Sequence, residues 1–186
     1  SSLEQALIRR AVGITNAGLR AVIPKIKPGV KEYELEAQLN YTFAVEQASG
    51  FAYPPIIASG IRSNILHYDV NTATCKDGDL LLMDVGASYA NYNADITRVF
   101  PVNGRFSPRQ RAVYSQVLKT LKSLEGIIKP GLSWSDLEQV LQELMEESLQ
   151  ELGLIDRNDL RHQDANQPLY KKFMVHSLGH HLGLEV

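Results

Sequence analysis

Ile26-Lys27-Pro28-Gly29-Val30, followed by Leu35-Glu36, returns 102 positions later as Ile128-Lys129-Pro130-Gly131-Leu132, followed by Leu137-Glu138. Each copy lies between two segments of helical character. Before the first copy, Leu3, Leu7, Ala11 and Val12 form a stripe that predicts a helix from about Leu3 to Val22. Ser2 with Gln5 fits its capping box, and Pro24 ends it. After that copy, Leu35, Leu39 and Phe43 share one side of a second helix, from about Lys31 to Gln47. Before the second copy, Ser107 as N-cap and Pro108 in the first turn open a third helix that runs to about Ile128. After it, a fourth helix starts near Ser135, with Glu138 completing a capping box, and ends at Gly153. Reuse of a good turn would explain the Lys-Pro-Gly connectors alone, since Pro and Gly are favoured there. The matching order of flanking elements points instead to internal duplication.

Extended stretches follow the helices. Tyr53-Pro54-Pro55 opens Ile56 to Gly60, and two further strands are read at Leu80 to Val85 and Asn91 to Phe100. Asp156 to Gln167 reads as a polar loop, and Phe173 to Val175 as the start of another extended piece. In the first copy two helices lead to a strand and a hairpin. In the second they lead to a strand, and the matching hairpin is expected past Val186. The fold expected is an α+β domain with pseudo-two-fold helices on a mostly antiparallel sheet.

The chain has 186 residues, 44% hydrophobic and 22% charged, which suits one globular domain with a sizeable core. A formal net charge of −2 with scattered Lys and Arg speaks against nucleic acid and acidic membrane surfaces as partners. No apolar run approaches a membrane span. Cys75 is the one cysteine, so no internal disulfide can form. With no signal peptide visible, the cytoplasm is the expected compartment. The start at Ser1-Ser2-Leu3-Glu4 lacks an initiator Met, and the natural N-terminus is expected upstream.

Three features could carry chemistry. Asp84 stands inside the apolar run Leu80-Leu81-Leu82-Met83-Asp84-Val85-Gly86, and a lone carboxylate there is costly unless paired or metal-bound. A hairpin centred between Tyr89 and Ala90 would put Asp84 opposite Asp95, on one face. Two facing carboxylates repel unless a proton or cation sits between them, and a hard divalent metal meets that need. The structural alternative makes Asp95 a turn residue and pairs Asp84 with Arg98. The second feature, His176-Ser177-Leu178-Gly179-His180-His181-Leu182-Gly183, gathers three of five histidines. If the segment is extended, His176 and His180 share a face. The third is His67 in Asn64-Ile65-Leu66-His67-Tyr68, which alone reads equally well as a core histidine.

The order His67, Asp84, Asp95, His176, His180 resembles the "pita-bread" metallopeptidases: aminopeptidase P, Xaa-Pro dipeptidase (prolidase), methionine aminopeptidase and creatinase. Asp95-Ile96-Thr97-Arg98-Val99-Phe100-Pro101-Val102-Asn103-Gly104 is similar to aminopeptidase P and prolidase. The His176–Leu184 segment resembles their His-Gly-Leu-Gly-His-x-Leu-Gly-Leu, with Ser177 in place of a Gly. The likeness covers essentially the whole chain. It implies that Asp84 chelates one metal, Asp95 bridges two, and His180 binds the other. His67 and His176 would line the substrate pocket and assist proton movement without ligating, and Tyr53 would fall at an aromatic pocket position.

The implied cofactors are two divalent ions, Mn²⁺ first, with Co²⁺, Zn²⁺ or Fe²⁺ also compatible. The implied reaction is hydrolysis of an N-terminal Xaa-Pro bond by a metal-activated hydroxide, in a parent enzyme expected to be a homo-oligomer. Residues 1–186 would then be an incomplete catalytic domain, with an N-terminal domain and two further glutamate ligands outside it, and inactive alone. The other readings are prolidase, a metal-independent creatinase, and a non-enzymatic pita-bread module that binds proteins.

Overall fold

In the computed structural model, which describes residues 1–164 and 166–186, helix α1 (Ser2–Val22) begins where Ser1 Oγ accepts from the Glu4 backbone N–H at 3.3 Å. The Glu4 carboxylate turns back to the Ser1 amine. The capping box is thus Ser1 with Glu4, one residue earlier than Ser2 with Gln5, because a carboxylate is a stronger acceptor than an amide. A short 3-10 turn at Ile23–Lys25 carries Pro24. Helix α2 (Glu32–Val45) ends before the expected Gln47, which turns away at φ 63°.

Ile14, Leu19 and Val22 of α1 and Leu35, Leu39 and Phe43 of α2 are buried in one core with Ile57, Leu81, Met83 and Val85. Each such side chain contributes about 1.5–3 kcal/mol on burial. Ile57 lies on β2 (Ile56–Ser59), and the other three on β3 (Leu80–Val85), which runs antiparallel between β2 and β6 (Ile96–Pro101). A smaller antiparallel sheet joins β1 (Gly50–Phe51), β4 (Ala87–Tyr89) and β5 (Tyr92–Asn93). On β3, Leu81, Met83 and Val85 face the core, so Leu80, Leu82 and Asp84 occupy the other face.

The hairpin register differs from the expected one. Tyr89 pairs with Tyr92, and Ala90 (φ 51°) and Asn91 (φ 67°) form the turn between them. Both turn residues need positive φ in the tight turn that matches strand twist, and Asn tolerates it. The centre therefore falls between Ala90 and Asn91, one residue later than expected. Asp84 pairs with Thr97, not Asp95.

These elements belong to one compact unit, Ser1–Arg105 with His181–Val186, and Phe106–His180 form a second. Within the second, Ser107 caps α3 (Pro108–Ile127) as expected, with Gln110 closing the box. Helix α4 (Trp134–Glu151) is capped by Ser133 with Asp136 rather than by Ser135 with Glu138; both pairs have the box spacing, and the earlier one brings Trp134 into the helix. A five-residue helix α5 (Arg157–Arg161), capped by Asp156, replaces much of the expected polar loop 156–167, of which residue 165 lies outside the described residues. Leu124, Leu141, Leu149, Ile155 and Tyr170 form this unit's core.

The expected extended piece at Phe173–Val175 is a turn instead. The N–H groups of Phe173 and Met174 both go to the Tyr170 carbonyl, at 2.9 and 3.0 Å, which leaves no ladder. The strand argument for placing His176 and His180 on one face therefore falls away.

The two Lys-Pro-Gly turns match locally. Gly29 has φ 92° and Gly131 φ 91°. Val30 N–H reaches the Lys27 carbonyl at 3.3 Å, and Leu132 N–H reaches Lys129 at the same distance. The N-caps Lys31 and Ser133 stand at equivalent positions.

Candidate metal centre

The core-averted face of β3 and the start of β6 bring two carboxylates together. Asp84 and Thr97 are directly opposite, so Asp95, two residues before Thr97, is the diagonal neighbour on the same face. Gly86 makes this approach possible: a Cβ there would lie 1.7 Å from the Ala94 carbonyl oxygen. Arg98 pairs with Met83 and so points to the opposite face from Asp84, which removes the alternative Asp84–Arg98 pair.

Tyr53 completes the cluster. Its chain is tied down by the Ala52 N–H bond to the Gly86 carbonyl at 2.8 Å. The phenol oxygen lies 2.7 Å from Asp84 Oδ1 and 2.9 Å from Asp95 Oδ1. A phenol has one proton, so Tyr53 can donate to only one of these two oxygens at a time. Burial pushes the Asp84 carboxyl above its usual range; the Tyr53 hydrogen bond opposes this, and the Asp95 charge adds to it. Burial also pushes the Tyr53 phenol strongly up, reinforced by its bond to Asp84. Two half-buried carboxylates on one face, with oxygen donors only, have the chemistry of a site for a hard dication.

His67 lies in the same unit, exposed, on the segment after β2, with φ 54°. Two buried polar side chains hold that segment. Glu32, fully buried, accepts from Ser59 N–H (2.8 Å), Ser59 Oγ (2.7 Å), Tyr68 OH (2.8 Å) and Ala73 N–H (2.8 Å). Asn71 accepts from Ile57 N–H at 2.9 Å and donates to the Pro55 carbonyl at 2.8 Å. Neither belongs to a recognisable sequence motif, although Glu32 stands three residues before Leu35 on the Leu35–Leu39–Phe43 stripe. A charge on the buried side of a helix was the available signal.

His176 and His180 belong to the second unit and are exposed; the His176 ring Nδ1 lies 2.8 Å from the Ser177 carbonyl. The chain after them returns to the first unit, where Asn93 donates from its backbone N–H to Gly183 O at 2.8 Å and from Nδ2 to Leu184 O at 3.0 Å. Among the described residues no three His, Cys, Asp or Glu side chains converge as a metal-binding group. The structure thus joins Tyr53, Asp84 and Asp95. Among the described residues no helix is long and apolar enough to cross a membrane.

Residues 6–186 match the model of metallopeptidase family M24. The chain is 38% identical to the Xaa-Pro aminopeptidase of Escherichia coli (strain K12), over 98% of this chain and 41% of that protein. It is 34% identical to the Xaa-Pro dipeptidase of Homo sapiens, over 100% of this chain and 38% of that protein. Zinc-substituted E. coli aminopeptidase P in complex with product superposes with a TM-score of 0.89 at 35% identity, covering 100% of this chain and 42% of that one. The chain therefore spans about two fifths of the length of these relatives.

Proposed function

The chain belongs to metallopeptidase family M24, and on that premise we propose that it is the greater part of the catalytic domain of an Xaa-Pro aminopeptidase. The observation that carries the proposal is the Tyr53–Asp84–Asp95 cluster, in which one phenol oxygen lies within hydrogen-bond reach of both carboxylates on a shared sheet face. Asp84 would chelate one Mn²⁺, Asp95 would bridge two, and His180 would ligate the second. His180 is included on its place in the histidine motif. When bound, the metals supply Lewis acidity and a water activated for attack on the peptide carbonyl.

The chain's own residues do the rest. Tyr53 orients both carboxylates through their Oδ1 atoms. Gly86 keeps β4 and β5 close enough for Asp95 to share the face of Asp84. His67 and His176 are assigned to the substrate, donating hydrogen bonds at the scissile group and moving protons. The partner is a peptide with proline at its second position, and the compartment proposed is the cytoplasm.

The test uses the whole protein and Mn²⁺ with Xaa-Pro-Xaa peptides. Asp95→Ala is expected to remove bound metal and all turnover, since a bridging ligand serves both ions. His67→Ala is expected to keep its metal and lose about 10²–10⁴ in kcat, the usual weight of one acid–base group. Full activity of the Asp95 variant defeats the assignment. Cleavage of Xaa-Pro dipeptides alone would move the reading to prolidase, which the likeness to the human dipeptidase keeps in view.

A further inference from the structure

We infer that Glu32 is a positioning residue: its buried carboxylate fixes the backbone on both sides of His67 and so aims that ring. The inference rests on the reading above that His67 handles substrate. Ser59, at the end of β2, and Ala73 bracket the segment that carries His67, and both give their backbone N–H to Glu32, one to each oxygen. Tyr68, the next residue after His67, gives its hydroxyl to the Ala73-bound oxygen. The Glu32 backbone N–H closes the clamp on the Ala73 carbonyl at 3.0 Å. Asn71 adds a second tie, from Nδ2 to Glu36 Oε2 at 2.9 Å.

His67 is itself exposed and held at left-handed φ, so the backbone on either side is what orients it. Stability alone does not call for an acid here. Replacing buried charges by well-packed apolar groups is often neutral or favourable. What a carboxylate does, and a Leu does not, is fix two backbone donors and two hydroxyls in set directions.

The geometry makes Glu32→Gln a sharp probe. An amide has one acceptor oxygen, and the two N–H donors lie on different oxygens. Whichever way the amide turns, its NH₂ faces the N–H of Ser59 or of Ala73, and neither backbone group can reverse. Tyr68→Phe is the milder variant, since it removes one hydroxyl donor and leaves both backbone N–H bonds to the Glu32 carboxylate in place.

The experiment measures kcat, KM and metal content in the whole Mn²⁺-loaded protein. Glu32→Gln and Tyr68→Phe are each made alone and on His67→Ala. For Glu32→Gln we expect kcat to fall about 10²-fold, the scale of an ångström-level misplacement. KM and metal content should change little, and Tyr68→Phe should show a smaller loss. On His67→Ala neither should reduce kcat further. An unchanged kcat in Glu32→Gln, or the same fold loss on both backgrounds, overturns the proposal. Amide hydrogen exchange provides a readout independent of activity. Residues 60–73 should exchange faster in Glu32→Gln while β3 is unaffected, and unchanged exchange there overturns the clamp. If His67→Ala keeps full kcat, the substrate role of His67 fails, and the exchange result still decides whether Glu32 holds the segment.

Discussion

Asp84 and Asp95 both lie within hydrogen-bond reach of the Tyr53 phenol, and burial holds the Asp84 carboxyl above its usual range. A raised folded-state pKa means that the folded chain binds the proton more tightly than the unfolded chain. Asp84 thus contributes stability that is fully present below its unfolded pKa, near 3.9, and is lost as pH rises through the folded value. Asp84→Asn, neutral at every pH, should therefore raise the Tm of the metal-free chain at pH 7 and hardly change it at pH 3. Under the proposed assignment, metal and proton compete for the same Asp84 oxygens. The Tm gain from added Mn²⁺ should accordingly grow as pH rises through the Asp84 value, and be absent in Asp84→Asn. Thermal scans at several pH values, with and without Mn²⁺, decide this; a metal shift that is the same at pH 4 and pH 8 contradicts it.

At the scale of elements, the two Lys-Pro-Gly turns join α1 to α2 and α3 to α4 with glycines of nearly equal φ. A Cβ at Gly29 or Gly131 would meet nothing within 4 Å, so the cost of a side chain there is conformational alone. Gly29→Ala and Gly131→Ala should each lose about 1–2 kcal/mol, the penalty of an L-residue in the left-handed region. Equal losses in urea denaturation fit duplicated turns; a large inequality would show that the resemblance stops at the sequence. The β4–β5 turn illustrates the other side of local coding. Ala90 is a poor sign of a tight hairpin turn, and the hairpin centre lies one position later than the sequence predicts. Asp84 and Asp95 are diagonal rather than opposite neighbours, and they still share a face because a shift of two along β6 keeps side chains on the same side.

Over the whole molecule, the two units differ in what holds them. Ser1–Arg105 with His181–Val186 enclose a core that includes Ile14, Leu35, Phe43, Leu81 and Met83, none more than 1% exposed. Phe106–His180 have a smaller core, and α3 leaves Val113, Val117 and Leu121 exposed. Native-state hydrogen exchange of residues 1–186 should place the slowest amides in β3 and α2, with α3 and α4 opening at lower free energy. Equal protection of α3 and β3 would contradict this.

The sequence alone determined the elements whose signals are local: helices with stripes and caps, the repeated turn, and the strand Leu80–Val85. It also determined the residue types at the centre, because an acid in an apolar strand is abnormal wherever the strand lies. Caps slipped by one residue at Ser1 and two at Ser133, where overlapping boxes compete over small energies. Only tertiary structure decided the rest. Tyr53 reaches Asp84 and Asp95 through the pairing of Ala52 with Gly86. Glu32 becomes a clamp because the segment around His67 folds over α2 and brings it four donors from three residues. Periodicity reports which side of a helix is buried; which donors wait there depends on chain crossings far apart in sequence.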